Sequence, residues 1–100
     1  MNYKDATGKS IDESFKEYHE KNPIIYEYFK EYLREVVKAG KKKTSAKMIL
    51  NRIRWEIYIK TDSEEEYKIN DAFTSRYARL FADEHPDYEY LFNFRKLRTN

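Results

Sequence analysis

The stretch NPIIYEYFKEYLREVVKAG, Asn22 to Gly40, constrains the fold more than any other part of the chain. Ile25, Tyr28, Phe29, Tyr32, Leu33 and Val36 recur at spacings of three and four, which draws one apolar stripe along a helix. Asn22 stands where a cap belongs. Pro23 suits the first helical position, where its missing N–H has no partner to lose, and Gly40 can close the end. Glycine recurs only at position 8 and proline only at position 86, so interior punctuation is sparse and helices are expected to dominate.

The same reasoning extends along the chain. Ser10 and Glu13 have capping-box spacing, predicting a first helix from about Ile11 to Lys21 with Ile11, Phe15 and Tyr18 inward. In KKKTSAKMILNRIRW, Ser45 or Thr44 can cap a third helix whose inward face is Ala46, Ile49, Leu50, Ile53 and Ile57. Met48, Trp55 and Ile59 fall roughly opposite. A helix apolar on two sides is expected to be central, with neighbours on both and Trp55 as a core anchor. Between the two sectors runs a polar strip of Lys47, Asn51, Arg54 and Tyr58.

The end of that element is ambiguous, because WEIYIKT also alternates like a strand and DSEE could turn it into a hairpin. We favour helix to about Tyr58. Asn70 or Asp71 can cap a fourth helix to about Glu84, with Ile69, Phe73, Tyr77, Leu80 and Phe81 inward and Arg76 and Arg79 on its flank. His85-Pro86 stops it. PDYEYLFNFRKLR then reads as a short fifth helix, with Tyr88, Leu91, Phe92 and Arg95 on one side and a basic tail of Arg95, Lys96 and Arg98.

These elements predict one domain over residues 1–100, mainly α, a compact bundle of four to five helices with the third central and residues 1–10 as a flexible N-terminus. The alternative is a winged-helix-like arrangement, with residues 55–69 or the C-terminal segment supplying a small β-hairpin and the Asn70–Glu84 helix entering a major groove. Apolar residues make up 40% of the chain and aromatics 17%, which argues against disorder although 38% are charged.

Several kinds of chemistry lack a signature. The absence of cysteine removes disulfides, thiolate zinc sites and thiol nucleophiles, and fits a reducing, cytoplasmic setting. No apolar run approaches the roughly 20 residues that cross a bilayer. His19 and His85 have no metal-ligand spacing, and Asp83-Glu84 beside His85 reads as a helix-end charge cluster. There is no glycine-rich phosphate loop, and no serine sits in a nucleophile elbow. We expect no enzyme, no metal and no cofactor.

The charge is uneven. Residues 41–60 carry seven bases and one acid, residues 61–90 three bases and nine acids. Lys41, Lys42 and Lys43 read either as a solvated loop that complements the negative end of the preceding helix or as a phosphate clamp. Arg54, Arg76 and Arg79 could converge with them, although Arg76 and Arg79 could equally pair with acids of the fold. The expected function is non-enzymatic binding of nucleic acid, double-stranded DNA by preference, through Lys41, Lys42, Lys43, Lys47, Arg54, Arg76 and Arg79. The rival is a protein-interaction module that uses the acidic 61–90 surface and exposed tyrosines to engage a host protein. The aromatic content also permits a homodimer.

The phrases NRIRW, YKIN, YARLF, the following HP and the closing FNFRKLR, together with NPIIYEYF, resemble a family of short proteins encoded by phages and prophages. The likeness runs from about Asn22 nearly to the end. It brings no established activity and no catalytic residue. It implies a phage or mobile-element origin and action in the cytoplasm of a bacterial host, where small proteins of this kind are often DNA-binding regulators or inhibitors of a host protein.

Overall fold

Four α-helices and two 3-10 turns make up a mainly α bundle in the computed structural model, which describes residues 10–62 and 65–92. Helix α1 spans Ile11–Lys21, α2 Pro23–Lys38, α3 Ala46–Lys60 and α4 Thr74–Glu84; 3-10 turns at Asp71–Phe73 and Pro86–Leu91 flank α4. Every element among the described residues is helical. The flexible N-terminus expected over residues 1–10 lies outside them except for Ser10, as does the basic tail of Arg95, Lys96 and Arg98.

Local chemistry sets the boundaries. Ser10 and Glu13 form a reciprocal capping box, the Ser10 hydroxyl accepting from the Glu13 N–H at 3.1 Å. Asn22 sits at the N-cap position of α2 but does not cap it with its side chain. Its Nδ2 instead donates to the Tyr18 carbonyl at 3.0 Å, closing α1 while Pro23 opens α2. At the far end of α2, Gly40 takes φ +75°, and the N–H groups of Gly40 and Lys41 return to the carbonyls of Val37 and Val36. That left-handed stop is the position glycine serves best. Ser45, and not Thr44, caps α3 by accepting from the Met48 N–H at 3.2 Å.

The core is shared by all of these elements. Phe29 and Leu33 of α2, Leu50 and Ile53 of α3, Tyr77 of α4 and Leu91 of the last turn are sealed from solvent. Phe29 stacks near Tyr77 and Phe92 at centroid distances of 5.8 and 6.1 Å, and Phe15 of α1 meets Tyr77 edge-on at 4.7 Å. Tyr26 lies off the apolar stripe of α2 yet is buried, its hydroxyl donating to Glu84 Oε1 at 2.7 Å. Burial and that hydrogen bond both hold its proton well above the ordinary tyrosine range.

Several expectations change. The helix α3 continues through Lys60, so residues 55–60 are helical and the hairpin alternative does not form there. Its second apolar side is also open. α3 packs on α2 and α4 through Ile49, Leu50 and Ile53, while Met48, Trp55 and Ile59 stand 59%, 59% and 56% exposed. Trp55 is therefore a surface residue and not a core anchor. The reason is supply: α2 and α4 pack on α3 where Ile49, Leu50 and Ile53 are buried, whereas the ring contacts on the other side are Trp55 with Tyr58 and Tyr58 with Tyr67. Tyr88, read on one side with Leu91 and Phe92, is exposed, whereas those two are buried.

Candidate nucleic-acid interface

A basic side chain is free to meet a phosphate only if the fold has not already given it an acceptor. The seven cations named from the sequence divide on that criterion.

Arg54 is committed internally. One of its terminal nitrogens donates to Asn51 Oδ1 at 2.7 Å; the other donates to Asp71 Oδ1 at 2.9 Å and also to the carbonyl of Ile69. Its side chain is largely covered. The planar guanidinium thus ties α3 to the segment that leads into α4, a task its fork of donors suits. It leaves the set of phosphate ligands. Arg76 is partly engaged, its Nε lying 3.0 Å from Asp12 of α1 and a terminal nitrogen 3.2 Å from the Ser75 hydroxyl. The acid it pairs with belongs to the first helix and not to the acidic segment after α3.

The remaining five are outward. Lys41, Lys42 and Lys43 are exposed on the loop between α2 and α3, Lys47 is exposed in the first turn of α3, and Arg79 is exposed on α4. Among the described residues Arg79 has no ion-pair partner. The loop is anchored, because the Thr44 N–H donates to the Leu91 carbonyl at 2.8 Å. That bond holds the start of α3 against the last turn.

Between the start of α3 and α4 lies a groove of about 600 Å³, bounded by Thr44, Ser45, Thr74, Ser75, Arg76 and Arg79, with Asp71 at one edge and Phe92 also on its wall. Arg76 and Arg79 contribute from one side. Lys43 and Lys47 bracket its other wall in sequence. The first turn of α3 contains no acid, so beyond the Ser45 cap no side-chain carboxylate of that turn offsets the partial positive charge of its N–H groups. The hydroxyl oxygens of Thr44 and Thr74 are buried and have no hydrogen-bond partner among the described residues. Sequence reading weighed Thr44 only as a cap and passed over Thr74, since nothing local marks a threonine as unpartnered.

Among the described residues no three His, Asp or Glu side chains gather closely enough to hold a metal ion, and no helix is long and apolar enough to cross a membrane. Asp83, Glu84 and His85 do not form an acid–base pair in an enclosed site. Glu84 serves Tyr26, and the His85 ring packs 4.8 Å from Phe81. No family model, no curated protein and no solved structure matches the chain.

Proposed function

We propose that the protein is a non-enzymatic nucleic-acid-binding factor that grips double-stranded DNA by its phosphates. Lys41, Lys42, Lys43, Lys47 and Arg79 are the contacting residues, with Arg76 joining when it exchanges Asp12 for a phosphate. The observation that carries the reading is that Arg76 and Arg79 of α4 line one wall of a groove whose other wall, the start of α3, is bracketed in sequence by the exposed Lys43 and Lys47. A phosphate entering there would meet Arg76 and Arg79 at its edge. The resemblance to phage-encoded proteins supports a regulatory role in the cytoplasm of a bacterial host.

Binding to random duplex DNA at two salt concentrations tests this. Five phosphate contacts give a log–log slope of about −4.5, so a fourfold rise in salt lowers affinity about 500-fold. Lys42→Glu, Lys43→Glu and Arg79→Glu together abolish the complex. Absence of binding at low salt, or binding that the triple variant retains, refutes the proposal.

A second reading rests on a different surface. The open side of α3 presents Met48, Trp55, Tyr58 and Ile59, four large apolar side chains each more than half exposed. Contiguous apolar surface of that kind is what a protein partner covers.

A further inference from the structure

We infer that the open face of α3 is a self-association surface, on which a second copy of this chain packs with its own α3 antiparallel. The inference rests on the protein-partner reading above and names the partner.

Met48, Arg52, Trp55 and Ile59 follow one another along α3 at steps of four, three and four, the spacing of a seam between two packed helices. Three of the four are apolar and more than half exposed. The fourth, Arg52, lays its guanidinium 4.5 Å over the ring of Tyr32 on α2, which draws its charge to the edge of the seam. Around the seam lie Asn51 and Tyr58, exposed on the same side.

The seam is symmetric about its own midpoint, between Arg52 and Trp55. Laid antiparallel on a copy of itself, it sets Met48 level with Ile59 of the partner and Arg52 level with Trp55 of the partner. The first pairing is apolar on apolar. The second is a cation against the face or edge of an indole. Both halves of each pairing are carried by one helix, as a two-fold interface requires. Parallel pairing would set Arg52 against Arg52.

Charge selects the same orientation. With Arg54 spent on Asp71, residues 41–53 contain five bases and no acid, whereas residues 56–68 contain five acids and two bases, Glu56 already paired with Lys60 and Glu65 with Lys68. Antiparallel packing places the basic approach to one α3 beside the acidic exit from the other, at both ends of the interface. Opposed helix dipoles favour it as well. A foreign protein would have to reproduce this gradient, which a second copy possesses already. One helix face is a small interface, so the dimer is weak and its population depends on concentration.

Sedimentation velocity across a wide concentration range should show a monomer passing to a dimer, and the emission of Trp55, the only tryptophan, should move to the blue in step. Trp55→Glu, at a residue the core does not use, weakens self-association by at least about 30-fold. Its far-ultraviolet circular dichroism stays unchanged. The chain has no cysteine, so engineered ones report geometry directly. The Met48→Cys, Ile59→Cys double variant cross-links between copies on oxidation, and Met48→Cys alone does not. A dimer indifferent to Trp55→Glu, or efficient cross-linking of Met48→Cys alone, overturns the proposal. So does a strict monomer, which separates the two readings. If its α3 face still captures another protein in a Trp55-dependent way, the protein-partner reading survives without self-pairing. If it captures nothing, both fall.

Discussion

The two faces of α3 carry comparable apolar content and have opposite fates. Ile49, Leu50 and Ile53 vanish between α2 and α4, while Met48, Trp55 and Ile59 remain in solvent on the other side of the same fifteen-residue helix. Side-chain chemistry does not separate the two sets. Packing does: one face is buried against α2 and α4, and the other stays more than half exposed. Apolar periodicity therefore records which side chains share a side, and a neighbour decides whether that side is core or interface.

Truncation on each face gives the widest contrast. Leu50→Ala removes a side chain with no solvent exposure and leaves a cavity, so it should cost about 2–5 kcal/mol in urea denaturation. Trp55→Ala, although it deletes far more apolar surface, should change the stability of the monomer by less than about 0.5 kcal/mol. Measurement at low protein concentration keeps self-association out of the comparison. Equal losses at the two positions would mean that the second face is covered after all.

The polar flank sharpens the contrast at smaller scale. Arg54 and Lys47 both lie on the strip between the apolar sectors, yet Arg54 holds three acceptors and Lys47 stands exposed. Arg54→Ala leaves the Ile69 carbonyl and Asp71 without that donor and should destabilise the fold by about 1.5–3 kcal/mol. Arg54→Lys should recover only part, since one ammonium cannot reproduce the planar fork. Lys47→Ala should leave denaturation unchanged and lower affinity for duplex DNA. If Arg54→Ala instead reduces DNA binding with no loss of stability, the assignment of the two residues is reversed.

How much of this was legible beforehand follows from the range of the signals involved. Capping boxes, the proline start and the glycine stop act within four or five residues, and α1 and α2 begin and end where those signals place them. The inward stripe of each helix was legible for the same reason. Arg54 was misplaced because its acceptors lie 15 and 17 residues away, across a turn whose course no local pattern specifies. Tyr26 escaped notice because it sits off the stripe of α2 and is buried only when α1 and α4 close over it. The groove beside Arg79 joins the start of α3 to α4, and its threonines, unpartnered among the described residues, become visible only once both walls are in place.

The smallest effect lies deepest on the buried side. Tyr77 has no solvent exposure, and its hydroxyl finds no hydrogen-bond partner among the described residues. Among the described residues the hydroxyl is thus stripped of water with nothing in return. Tyr77→Phe should raise stability by about 1 kcal/mol at neutral pH, against the usual loss when a core side chain is altered. The pH dependence gives a second reading of the same hydroxyl. Burial holds the Tyr77 proton above the ordinary tyrosine value of 10.0, and Tyr18, Tyr26 and Tyr32 are raised for the same first reason. The unfolded chain releases these protons near pH 10 while the folded protein keeps them, so their contribution is complete below pH 10 and is lost as pH rises beyond it. Each raised tyrosine adds a slope of about 1.4 kcal/mol per pH unit above that point. Denaturation of the wild type and Tyr77→Phe at pH 8 and pH 11 should therefore show the variant's advantage widening at the higher pH. An advantage that stays constant or shrinks would mean that the Tyr77 hydroxyl is hydrated in the folded protein, and that the wall between the two sides of the molecule is thinner than its packing implies.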